Sequence, residues 1–305
     1  MKDVRHRLLL VVTLMVAATL IAACGDDEKA NEPFVEIEEQ LGFGRTGIVE
    51  RQTRVENLIR DCMKAQGFDY TPVDPLAQQQ ALTGKARISD EEFIKQFGYG
   101  ISTLFGKGTA QSDPNDRIRK SLPPADRAAY DRALFGDFPG VTFAEAVDTG
   151  DFEEIGGCTK QATFEVFGGG AVLTQLVAKL DQLDERIVED QRMVRAVERW
   201  SECMADQGHQ YEEPDLIDEY LTKRFQAIVG VGVRPGATAP PTPGTSYDKA
   251  ALAQLQQEEV QLGRADLACE KRHIAPVEEV VRPQYEETFR RENRSLLTRV
   301  RPVGQ

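Results

Sequence analysis

Two stretches of this chain, IRDCMKAQGFDY at Ile59–Tyr70 and WSECMADQGHQY at Trp200–Tyr211, repeat one pattern at an offset of 141 residues. Aligning Cys62 with Cys203 also matches Arg54 with Arg195, Met63 with Met204, Gln66 with Gln207, Gly67 with Gly208 and Tyr70 with Tyr211. Both copies read as a helix end stopped by a glycine in the left-handed region. The second copy closes the longest periodic run in the sequence. Leu173, Leu176, Leu180, Leu183, Ile187, Val194 and Val197 recur in steps of three and four, with Asp190 the one polar residue in that series. The spacing predicts a single helix over 171–211, about 37 residues and roughly 55 Å long. Its seam breaks at Asp190 before several clean heptads accumulate, which favours an internal hairpin over an intermolecular coiled coil.

The start of the chain bears on where the protein works. Lys2, Arg5 and Arg7 precede an uncharged run from Leu8 to Ala23. That run is shorter than the about 20 residues a spanning helix needs, and it ends in small residues. Residues 1–23 therefore read as an export signal. Ile21-Ala22-Ala23-Cys24 resembles a bacterial lipobox, which implies cleavage before Cys24, a diacylglyceryl group on its sulfur, and lasting attachment to the membrane through two acyl chains. Without the signal, 37 basic and 50 acidic residues become 34 and 49, a net charge of −15. So acidic a chain excludes nucleic acid as a partner and gives no basic surface for anionic headgroups.

Cys62, Cys158, Cys203 and Cys269 remain once Cys24 is lipidated, an even number for an oxidising compartment. Four cysteines allow three pairings, and one bridge per half gives Cys62–Cys158 and Cys203–Cys269. The competing reading is zinc held by Cys203, His209, Cys269 and His273, the last two one helical turn apart. It covers one half only, because Phe68 and Ala162 replace the histidines in the other. We expect disulfides, no metal and no cofactor.

Elsewhere the signals are local. Residues 24–45 form an acidic tether and turn. GFGRTG (Gly42–Gly47) matches the dinucleotide-binding spelling but lacks the preceding strand and the βαβ unit, so it reads as a turn. Ser89 with Glu92 is a capping box, and the prolines of LPPADRAAYDRALFG open a helix that Gly136 closes. FGYGIST (Phe97–Thr103) reads as a packed turn. In EEPDLIDEY the acids Glu212, Glu213, Asp215, Asp218 and Glu219 suit the first turn of a helix opened by Pro214. Residues 230–246 are a Pro/Gly/Thr-rich loop, residues from Tyr247 to His273 return to helix, and a last helix is expected from about Gln284. The fold class is mostly α: two related, disulfide-stapled halves, 46–170 and 171–305, joined by one long helix.

The lipobox, the paired Cys-Met-x3-Gly-x2-Tyr segments, FGYGIST, LPPADRAAYDRALFG and GGCTKQA together resemble a group of actinobacterial lipoproteins of uncharacterised activity. The likeness covers most of the mature chain and implies localisation alone. No G-x-S-x-G and few histidines argue against catalysis. The expected role is non-catalytic binding or scaffolding at the outer face of the cell membrane, with an envelope protein or the cell wall as partner. The alternatives are a carboxylate-based cell-wall glycan hydrolase and a zinc-binding lipoprotein.

Overall fold

The computed structural model describes residues 36–43, 45–107, 114–137, 156–231, 233, 235–237 and 246–300. The export signal, Cys24, most of the tether and part of the 230–246 loop lie outside them. The described residues form thirteen helices and no strand: α1 Ile37–Gln40, α2 Arg45–Ala65, α3 Pro75–Thr83, α4 Asp90–Phe97, α5 Pro114–Ser121, α6 Pro124–Phe135, α7 Gly157–Phe167, α8 Gly170–Val188, α9 Gln191–Asp206, α10 Asp215–Val229, α11 Lys249–His273, α12 Ala275–Glu292 and α13 Arg294–Leu297. None of the described helices is long and apolar enough to cross a membrane.

Local chemistry sets many of the boundaries. Ser89 and Glu92 exchange both hydrogen bonds of a capping box at the start of α4. Asp74 and Asp248 each accept amide hydrogen bonds at the starts of α3 and α11. The repeated segment builds the same helix end twice. Gly67 has φ 85° and Gly208 φ 87°, while Phe68 N donates to Met63 O and His209 N to Met204 O. Met63 and Met204 are fully buried.

The long helix expected over 171–211 is instead two helices, α8 and α9. Asp190 leaves the helical region (φ −61°, ψ 133°), and its side chain accepts from Arg192 N. Arg192 Nε (2.9 Å) and Nη2 (2.8 Å) and Tyr285 OH (3.1 Å) also donate to it. An ionised carboxylate in an apolar seam must find donors or leave the core. Here it caps the next helix. The break also shifts the phase of burial: the core stripe runs through Leu173, Leu176, Leu180, Leu183 and Ile187, then resumes at Met193, Ala196, Trp200 and Met204. Val194 falls off the seam, and Val197 is only partly buried at the edge of the core.

Two disulfides join Cys62 to Cys158 and Cys203 to Cys269. Each receives the same amide: Gln66 Nε2 lies 3.1 Å from Cys158 Sγ, and Gln207 Nε2 lies 2.8 Å from Cys269 Sγ. With both sulfurs bonded, Cys203 and Cys269 have no thiolate to offer zinc.

Two apolar cores follow. The smaller packs α2, α6 and α7 with Leu173 through Met63, Tyr130, Val166 and Phe167; the larger joins α8 to α12. The boundary drawn at residue 170 does not separate them, because Ile101 and Phe105 belong to the larger core and α4 lies along α11. The tie is a buried charge. Glu259 of α11 accepts from the amides of Ile101 (2.6 Å), Ser102 (2.8 Å) and Thr103 (3.1 Å) and from Ser102 Oγ (2.5 Å). FGYGIST is thus a cradle for a carboxylate. The helix expected from about Gln284 is α12, which starts at Ala275, keeps Pro283 inside it and ends at Glu292, so Leu296 and Leu297 fall on the separate α13. The carbonyl that Pro283 leaves without its helical amide is that of Glu279, an exposed residue.

Gly98 and Gly208 separate two costs of substitution. Both have positive φ, but a Cβ at Gly208 meets nothing within 4 Å, while at Gly98 it lies 2.5 Å from Glu259 O. In denaturant titrations, Gly208→Ala should lose about 1 kcal/mol and Gly98→Ala more than about 3 kcal/mol, since steric overlap adds to backbone strain.

Candidate functional site: an acidic cleft at the helix break

The break between α8 and α9 opens one side of a cleft of about 1010 Å³. The rest of its lining comes from α4 with Tyr99, the segment leading into α10, α11 and the start of α12. Val188, Met193, Val194, Val197, Phe93, Ile94 and Ile274 supply its apolar lining. Val194 is 36 % exposed, although the sequence spacing had set it on the core seam. The phase shift at Asp190 brings it to the cleft.

Most of the rest of the lining is carboxylate. Asp181, Asp184, Glu185, Glu189 and Glu198 come from α8, the break and α9; Glu212, Glu213, Asp215 and Asp218 from the entry to α10; Asp90 from α4; and Asp266, Glu270 and Glu278 from α11 and α12. Among the described residues that line the cleft, none is Lys, Arg or His. Four of the five acids of EEPDLIDEY are therefore wall residues here, while Glu219 pairs with Lys223. The acids of α8, α11 and α12 were not singled out from the sequence. Nothing in their local pattern distinguishes them from a solvated helix face. The cysteines lie elsewhere: Cys203 and His273 line a smaller pocket of about 500 Å³.

The deepest carboxyl has a structural duty. Asp266 is buried; its Oδ2 accepts from Tyr99 OH (2.5 Å) and its Oδ1 from Trp200 Nε1 (2.8 Å). Burial raises its pKa to about 6, against the pull of those two donors. Glu270, one turn along, is pushed well above the usual carboxylate range by burial and then by Asp266 and Glu278.

Behind the cleft lies a second acidic layer around Arg282. Arg282 is buried and donates to Glu278 (2.7 Å) and Asp184 (3.1 Å). Burial opposes its charge, and the two carboxylates more than offset that, so its pKa lies above the ordinary value. Glu286, fully buried on the same helix, accepts from Ile37 N (3.0 Å) and Arg290 Nη2 (2.9 Å). Its Oε1 and both carboxylate oxygens of Glu38 are buried without a hydrogen-bond partner among the described residues. Burial, then Glu38, raises the Glu286 pKa to about 7, and burial raises Asp184 to about 6.

The chain matches no protein-family model, no curated protein and no solved structure.

These raised carboxyls fix the sign of a pH effect. Glu286 holds its proton in the folded state up to about pH 7, whereas the unfolded chain releases it near 4.5. Between those values the native state binds more protons, so stability falls as pH rises. Denaturant midpoints measured from pH 5 to 7.5 should decline, and Glu286→Gln should flatten part of that decline. An unchanged slope in Glu286→Gln would place the proton elsewhere.

Proposed function

We propose that this protein is a lipid-anchored, extracytoplasmic binding protein, held on the outer face of the cell membrane by diacylglyceryl-Cys24, and that its ligand occupies the acidic cleft. The observation that carries the binding role is the cleft itself: about 1010 Å³, lined by apolar side chains and by carboxylates. A concavity of that size with apolar patches and a few convergent polar groups is the usual form of a ligand site. The anchored localisation is supported by the lipobox-like end of the export signal. We also read the two Cys-Met helix ends as the cores of related halves, supported by their matching glycine stops and their matching Gln–sulfur contacts. Carboxylate-based hydrolysis is less well supported, because Asp266 has both oxygens occupied by protein donors.

Two measurements test this reading. Mass spectrometry of the mature protein should find an N-terminal peptide that starts at Cys24 and carries a diacylglyceryl group; a start elsewhere, or a bare cysteine, removes the anchor. A photoreactive amino acid introduced at Val194 should give a reproducible mass adduct in native cells. The same group at Val231, 94 % exposed and outside the cleft lining, should give none. Equal labelling at both positions, or no adduct at Val194, ends the binding proposal.

A further inference from the structure

We propose that the cleft's ligand is a small organic cation with an apolar body, such as a lipophilic ammonium or guanidinium compound; this rests on the binding reading above. The wall chemistry has two parts, and a ligand must satisfy both. Phe93 on α4 and Val194 and Val197 on α9 give up exposed apolar surface only to an apolar group. Asp184 and Glu278 are paired with Arg282, and burial favours the neutral form of Glu270. The exposed acids Glu198, Glu212 and Glu213 remain in a lining without a cation among the described residues, so the field disfavours an anion and favours a positive charge. Phe93 and Tyr99 add aromatic surface, which attracts ammonium and guanidinium groups.

The acids are spread round the cleft rather than gathered at a point. Among the described residues no group of three or more Cys, His, Asp or Glu side chains is placed to hold a metal ion. Compact cations need convergent oxygen ligands at about 2.0–2.6 Å, whereas a bulky organic cation is served by a diffuse negative field. The volume also decides between a small molecule and a chain. About 1010 Å³ is at the upper end of the range for small-molecule sites, and a basic helix would need a longer open groove.

Trp200 supplies the readout. It is the chain's one tryptophan, it is fully buried, and its indole N–H donates to Asp266 in the cleft wall. The full chain is titrated with octyltrimethylammonium below its micellar range, by calorimetry and by Trp200 emission. Octyl sulfate, tetramethylammonium, spermine and Ca²⁺ serve as comparisons. The expected result is saturable binding of octyltrimethylammonium alone, weakened about tenfold or more between 20 mM and 500 mM NaCl as the field is screened. The double variant Glu198→Gln/Glu213→Gln, two exposed acids of the lining, should weaken it about tenfold. Val194→Lys, at an exposed position that leaves the core untouched, should abolish it.

Comparable binding of octyl sulfate would make the site apolar only. Comparable binding of tetramethylammonium, spermine or Ca²⁺ would make it a charge site only. Either result, or no saturable binding of octyltrimethylammonium, overturns the proposed ligand class. The Val194 cross-linking result stands apart from this titration, so a cleft that binds some other ligand is distinguishable from one that binds none.

Discussion

The carboxylate of Glu259 is the constraint on which the larger core depends. A buried charge is tolerated only where its hydrogen-bonding capacity is filled, and three successive amides and a hydroxyl fill it here. Gripping Ile101 to Thr103 seats the chain that follows α4 on α11, with Gly98 in contact with the α11 backbone. That placement puts Tyr99 OH on Asp266, two turns farther along the same helix, and Asp266 in turn holds the indole of Trp200. Two acids on one face of α11 thus fix α4 and α9 against it. Part of the cleft lining follows from that arrangement.

The cleft also depends on a helix that does not continue. Had the apolar seam run through residue 190, Val194 and Val197 would have stayed in the core and α9 would have lain flush with α8. Asp190 instead takes the amide of Arg192 and the hydroxyl of Tyr285. The chain re-enters helix in a new rotational phase. The same residue therefore ends one element, starts the next and exposes apolar surface beside a carboxylate-rich wall.

What the sequence made legible was local. The capping box of Ser89, the proline start of α6, the glycine stops after Met63 and Met204 and the even cysteine count each rest on neighbours within a few residues, and the fold has them as read. Asp190 was visible as an intruder, but one polar residue in a seam does not say whether the helix bends, buries it or breaks. The Glu259 cradle was out of reach because its two parts are about 157 residues apart, and FGYGIST alone reads as any glycine-rich turn. The acids of the cleft were out of reach for a related reason. Asp184, Asp266, Glu270 and Glu278 sit on four separate turns of three helices, and their convergence is a property of packing rather than spacing.

The contacts of α1 settle how the folded body meets tension. Glu286 takes the amide of Ile37, and Arg290 donates to the side chain of Gln40, so the first described helix is fastened to the later turns of α12. Glu278, which lines the cleft, lies in the first turn of that helix, and Asp184, also in the lining, belongs to α8. A pull on the polypeptide ahead of residue 36 is therefore borne first by this clasp on α12. That clasp shares no residue with the cleft lining or with either disulfide.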